Sequence, residues 1–156
     1  MKIRRIVALG IIILAASIAA IAQDRLSQDA RIKAEQVLNR YVELEHAFDP
    51  AIADLYADDA VIQTRRTYPN GEVRNLSIPA AEYKALIRKT TPLAKARNDV
   101  SRYSNCTYRA AVMGRVRVAC ARYSELKNYT SPMSLVVGPG PRGDWLVFEE
   151  LSESQP

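Results

Sequence analysis

From Ser27 to Phe48 apolar residues return every three or four positions: Ala30, Ala34, Val37, Leu38, Tyr41, Val42, Leu44 and Phe48. That spacing lays one apolar stripe along a helix. Asp49-Pro50 then stops and restarts the chain, an N-cap residue followed by a proline suited to a first turn. A short second helix is predicted over Pro50–Tyr56. Ala60 to Tyr68 reads as a strand, Pro69-Asn70-Gly71 as a hairpin turn, and Glu72–Ile78 as the return strand. Pro79 opens a third helix to about Ala96, whose apolar face reads as Ala81, Ala85, Leu86 and Leu93; Pro92 is placed to kink or split it. From Asp99 onward the pattern is strand-like: Val100–Met113, Arg115–Leu126, Tyr129–Val137 and Trp145–Leu151. Turns at Met113-Gly114 and Lys127-Asn128 and a loop at Gly138–Gly143 separate them. This order predicts an α+β fold, a curved antiparallel sheet wrapped over three helices. There is no internal repeat and no linker, so residues 23–152 form one domain and 153–156 a polar tail.

The first 22 residues break the pattern. Met1–Arg5 is short and basic, and Ile6–Ala22 is apolar apart from Gly10 and Ser17. Ala20-Ile21-Ala22 before Gln23 has the small-residue form of a cleavage site, which completes the three parts of a secretory signal. The competing reading is a retained membrane anchor, for which this apolar run is at the short limit. Cleavage after Ala22 is the expectation, and either reading puts the domain outside the cytoplasm, periplasmic or secreted. The formal net charge of +5 then changes meaning. Lys2, Arg4 and Arg5 supply three of these charges, which leaves +2 for residues 23–156 and removes the argument for nucleic-acid binding.

Cys106 and Cys120 are the only cysteines. In an oxidising compartment an even pair reads as a disulfide; two free cysteines acting as small hydrophobes is the alternative. If the turn at Met113-Gly114 carries a bulge, they sit opposite each other. The same register pairs Ala110 with Val116 and Tyr108 with Val118 on a largely apolar face. The other face would carry Tyr103, Arg109, Ala111, Arg117, Ala119, Ala121 and Tyr123. Arg109 and Arg117 then become cross-strand neighbours, which reads either as an anion or subunit contact or as a solvated face with splayed arginines. One histidine, no CxxC and no suitably spaced carboxylates predict no metal and no cofactor. Three N-x-S/T sites, at Asn75, Asn105 and Asn128, would matter only in a eukaryotic secretory pathway.

"RYV" on a long first helix, "LYADDAVI" entering a strand and "PNGEV" as a hairpin together resemble the superfamily of nuclear transport factor 2 and ketosteroid isomerase. It is also called the SnoaL-like or cystatin-like cone fold. The resemblance covers nearly all of residues 27–152 and is specific for fold rather than function. It implies a curved sheet closing over helices around a conical apolar pocket. Tyr41 matches the isomerases' oxyanion-hole tyrosine, a donor that needs a partner carboxylate as base. The base position falls at Gln63-Thr64-Arg65, where there is no acid, and no Asp or Glu lies between Val100 and Ala121.

Tyr41, His46 and Asp58 remain the candidate catalytic residues. Each has a simpler reading: a core tyrosine, an exposed histidine at a helix end, and a junction aspartate. Glu149 and Glu150 alternate faces on the last strand, which gives one of them an inward reading; a solvated edge is the simpler one. Tyr41, Tyr56, Tyr108 and Trp145 are the expected pocket aromatics. Tyr103, Ala119, Ala121 and Tyr123 are the expected interface, since the resemblance implies dimers through the sheet.

Three functions compete. The first is an exported, non-catalytic domain that binds a small apolar ligand or a protein partner in the cone. The second is a SnoaL-like isomerase, dehydratase or cyclase using Tyr41 with His46 or Asp58. The third is a membrane-anchored structural subunit of an envelope assembly, as the resemblance to a type IV secretion component implies. Membrane contact is expected only if the first 22 residues stay attached.

Overall fold

The computed structural model describes residues 26–155. The predicted signal segment and its cleavage site lie outside the described residues. Helix α1 spans Gln28–His46, with Ser27 Oγ accepting from the Ala30 amide at 3.1 Å as its N-cap. Its buried residues, Ala34, Val37, Leu38, Tyr41 and Leu44, belong to the expected stripe. Phe48 turns into the left-handed region (φ 52°), so the helix ends two residues before it. Asp49 Oδ1 then accepts from the Ala51 amide at 2.9 Å, and Pro50–Leu55 form a short 3-10 helix.

Strands β1 (Tyr56–Thr67) and β2 (Val73–Pro79) form the first hairpin, and helix α2 (Ala80–Arg97) follows. Pro92 lies inside α2 without ending it. The inward positions of α2 are Ala80, Tyr83, Lys84, Ile87, Thr91 and Ala94, while Ala81, Ala85, Leu86 and Leu93 are exposed. The expected apolar face is therefore the wrong one. Tyr83 and Ile87 meet the core cluster, and the two leucines face solvent because α2 covers the sheet with only one narrow stripe. Strands β3 (Ser101–Ala110), β4 (Val116–Ser124), β5 (Tyr129–Pro139) and β6 (Trp145–Ser154) complete the sheet. Strand β6 takes in the first half of the expected polar tail, because Glu153 and Ser154 pair with Arg65 and Arg66 of β1.

The sheet order is β2-β1-β6-β5-β4-β3. It departs from an all-antiparallel sheet at one seam, since β1 and β6 run parallel. The inner face is built in rows across the strands. One row runs Tyr108, Val118, Leu135, Glu150, Ile62, Ile78. Val118, Leu135 and Ile62 on it are essentially solvent-free, and burying each side chain stabilises by about 1.5–3 kcal/mol.

The β3–β4 register is the expected one: Ala110 pairs with Val116, Tyr108 with Val118, and Cys106 is bonded to Cys120. Two irregularities were not expected. Between Ser104 and Thr107 the register slips, and Asn105 takes a positive φ of 53°. Between Val136 and Val137 the β6 partner jumps from Glu149 to Val147, which leaves Phe148 unmatched. Each is a β-bulge, and each reverses the in–out parity beyond it.

Candidate functional site

The parity change at Phe148 decides where the glutamates go. Val147 and Phe148 are both buried in the core cluster, Glu149 then faces out, and Glu150 faces in. Glu150 is 3% exposed. A carboxyl this deep is retained only where donors meet it. Tyr56, at the start of β1, donates its hydroxyl to Glu150 Oε2. Tyr83, on the inward stripe of α2, donates to Glu150 Oε1 at 3.1 Å. The two rings pack edge to face, with centroids 5.3 Å apart. Strand, junction and helix thus meet at one carboxyl group.

Burial pushes the Glu150 carboxyl above the usual glutamate range, against the pull of the two tyrosine hydroxyls and the Arg122 charge. Burial, with Glu150 nearby, also holds the Tyr41, Tyr56 and Tyr83 phenols well above their ordinary values. All three are hydrogen-bond donors across the physiological pH range.

A cavity of about 380 Å³ opens beside this cluster, between α1, the 3-10 helix, α2 and the sheet. Tyr41, Leu44, Ile52, Tyr83 and Ile87 make its apolar wall; Glu45, Asp49, Asp99, Arg122 and Lys127 make its polar part. Arg122 is held by Ser131 Oγ at 3.4 Å and by the Glu153 carbonyl oxygen at 3.0 Å. Glu45 is half-buried on the same helix as Tyr41, one turn on. Burial raises its carboxyl, while the Tyr103 and Ser101 hydroxyls and the His46 and Arg122 charges pull the other way. Among the described residues two buried side-chain atoms complete no hydrogen bond of good geometry: Glu45 Oε2 and Tyr103 Oη.

The expected site residues scatter. Tyr41 is in the cavity wall and packs edge to face on Tyr103, with centroids 6.1 Å apart. Tyr56 lies behind that wall, on Glu150. Tyr108 is under the Arg31 guanidinium, and Trp145 packs at the edge of the core; neither lines the cavity. His46 is exposed, and its Nε2 lies 2.7 Å from the Ser101 carbonyl oxygen, a tie between α1 and β3 rather than a cavity group. Asp58 is fully exposed and paired with Lys84 at 2.6 Å, which lowers its carboxyl. It sits where β1 bows away from β6 between Tyr56 and Val61, so it cannot join Tyr41.

Tyr103 needs correction as an interface residue. The bulge at Asn105 puts it opposite Arg122 on the inner face, while its expected companions Ala119, Ala121 and Tyr123 alternate on the outer one. Arg109 and Arg117 are cross-strand neighbours as expected, and Glu149 lies 3.0 Å from Arg117 to offset the repulsion. The residues missed were Tyr83, Glu45 and Glu150. For Tyr83 and Glu45 a signal existed, three and four residues from Ala80 and Tyr41 on the same helical faces. For Glu150 the alternation with Glu149 offered one inward carboxyl, and the bulge at Phe148 decides which of the two it is.

No protein-family model matches the sequence, and no curated relative does. Solved structures do match. An NTF-2-like protein of unknown function from Shewanella oneidensis is 18% identical, with a TM-score of 0.60 over 80% of this chain and 98% of that one. A domain of unknown function with a cystatin-like fold from Nostoc punctiforme gives 0.58 at 11% identity, over 81% and 78%. Aln2 from a Streptomyces species gives 0.56 at 13%, over 81% and 91%. At these identities the likeness establishes the fold alone: the nuclear transport factor 2-like, cystatin-like cone.

Proposed function

We propose that this chain is an exported binding domain whose cone holds a small molecule with an aromatic or alicyclic body and one hydrogen-bonding group. The observation that carries this is the two-sided cavity, with Tyr41, Leu44, Ile52, Tyr83 and Ile87 on one side and Glu45, Asp49, Asp99, Arg122 and Lys127 on the other. The apolar side takes a ring, and the polar side offers hydrogen-bonding partners to one polar group carried on it. The volume suits a one- or two-ring compound, more polar at one end than the apolar ligand expected from sequence. The Cys106–Cys120 bridge supports export. Mass spectrometry of the mature chain tests it directly: the expected N-terminus is Gln23.

The binding reading is favoured over catalysis because the most deeply buried carboxyl, Glu150, has both oxygens engaged by tyrosines and does not line the cavity. Titration with 2-naphthol, followed by amide chemical shifts, tests binding. The expected result is shifts confined to the cavity wall and at least tenfold weaker binding of 2-methoxynaphthalene, which cannot donate. Equal binding of both, or shifts elsewhere, sinks the reading.

One observation favours the enzyme reading as second. A carboxyl raised by burial at the cavity wall, with the Tyr41 hydroxyl one helical turn away, is suited to proton transfer next to a carbonyl. Glu45 and Tyr41 would then replace the expected His46 and Asp58. Deuterium wash-in at the α-carbon of 2-tetralone, above the buffer rate and lost in Glu45→Gln, would establish it.

A further inference from the structure

The far end of the sheet, away from the cavity mouth, carries a different kind of surface. The β3–β4 hairpin turns there through Val112, Met113 and Gly114. Val112 is 75% and Met113 79% exposed, the two most exposed large apolar side chains among the described residues. Met113 also adopts a left-handed backbone (φ 60°), a conformation that costs free energy for a residue with a Cβ and that glycine or asparagine would occupy more readily. Neither side chain packs against the core cluster, so nothing within the domain compensates.

The charges within the hairpin itself have one sign. From Val100 to Ser124 the hairpin contains five arginines and no acid, and Arg109, Arg115 and Arg117 flank the tip. Arg117 is matched by Glu149. Arg109 and Arg115 make no ion pair among the described residues. Arg115 lies over the Phe148 ring, 3.6 Å from its centroid, which holds its position at the base of the tip. Asp58 and Asp144 also lie toward this end, but Lys84 and Arg142 accompany them.

The chain also enters the domain from this side. Arg31, in the first turns of α1, stacks on Tyr108 near the tip end of β3. The apolar run Ile6–Ala22 ends four residues before Leu26.

We propose that the Val112-Met113 tip with Arg109 and Arg115 is a docking point for an anionic lipid surface. The two apolar side chains enter the headgroup boundary, and the arginines meet lipid phosphates. Strand β4 leads from the tip at Val116 to Ser124 at the cavity rim, roughly 25–30 Å away. Docking therefore leaves the cone open to the aqueous side. This does not depend on what the cone binds or on retention of the first 22 residues.

The test is co-sedimentation of the chain beginning at Gln23, which keeps every residue the structure describes, with vesicles of phosphatidylcholine plus phosphatidylglycerol or of phosphatidylcholine alone. Binding is expected to the anionic vesicles only, with release by salt. V112S/M113S is expected to weaken it by at least about tenfold, and R109Q by about fivefold, with unfolding midpoints unchanged. Three results would overturn the proposal: no binding to anionic vesicles at low salt, V112S/M113S binding as tightly as the parent chain, or tip-dependent self-association without lipid, which would make the tip a contact between proteins.

Discussion

Glu149 and Glu150 carry the same carboxylate one residue apart, and their surroundings differ in every respect that matters. Glu149 lies on the outer face, partly exposed, with Arg117 at 3.0 Å. Glu150 lies on the inner face between Leu135 and Ile62, with two tyrosine hydroxyls on its oxygens. Water screens the first and does most of its solvation. The second is removed from water, so its stability depends on donors that two other elements deliver. The same side chain is a minor surface contact in one place and the junction of the fold in the other.

Glu150→Ala breaks the comparison most severely. It leaves the Tyr56 and Tyr83 hydroxyls without an acceptor and opens a void beneath α2. The expected loss is about 3–5 kcal/mol in urea unfolding. A loss under about 1 kcal/mol would show that water replaces the carboxyl.

Tyr56→Phe removes one donor and keeps the ring. It should cost about 1–2 kcal/mol, more than Tyr83→Phe, because Tyr56 is the more buried. Unfolding midpoints of the two variants check the order.

The bulge that turns Tyr103 inward can be probed at Asn105. Asn105→Val places a β-branched residue at φ 53° and should cost about 1–2 kcal/mol, whereas Asn105→Gly should be close to neutral. Equal effects would mean that the positive φ does not govern this position.

The pH dependence contributed by Glu150 has a definite sign. The Glu150 carboxyl is raised in the folded chain, so above the ordinary glutamate value of 4.5 the folded state keeps a proton that the unfolded chain releases. Its contribution to stability is complete below that value and declines as pH rises through the raised one. Glu45 shifts the same way, so the measurement is the difference between the parent chain and Glu150→Gln. That difference should move in favour of the variant as pH increases; a flat difference would place the Glu150 carboxyl at its ordinary value.

The smallest effect belongs to the outer pair. Arg117→Ala should cost less than about 1 kcal/mol, and less still at high salt.

Much of this molecule is legible along the chain. The α1 stripe, the Asp49-Pro50 restart, the Pro69–Gly71 turn and the strand run after Asp99 are local patterns, and local physics reads them. The Cys106–Cys120 register was legible as well, because a short hairpin pairs residues close in sequence. The candidate site was legible only at Tyr41. On α2 the leucines outweighed Tyr83 in the sequence pattern, although Tyr83 and Ile87 are the residues that meet the sheet. His46 and Asp58 drew attention by residue type and turned out to be a tie and a surface pair.

By itself, then, the sequence determines the elements, their order and the cone, because helical and strand periods follow from side chains within a few residues of one another. The tertiary structure decides which face Tyr103 and Glu150 occupy. Two bulges, at Asn105 and Phe148, reverse the alternation that a strand would otherwise impose. A bulge is settled by how a strand pairs with its neighbours and by what the core must fill, and for Phe148 that core includes helices more than fifty residues away in sequence.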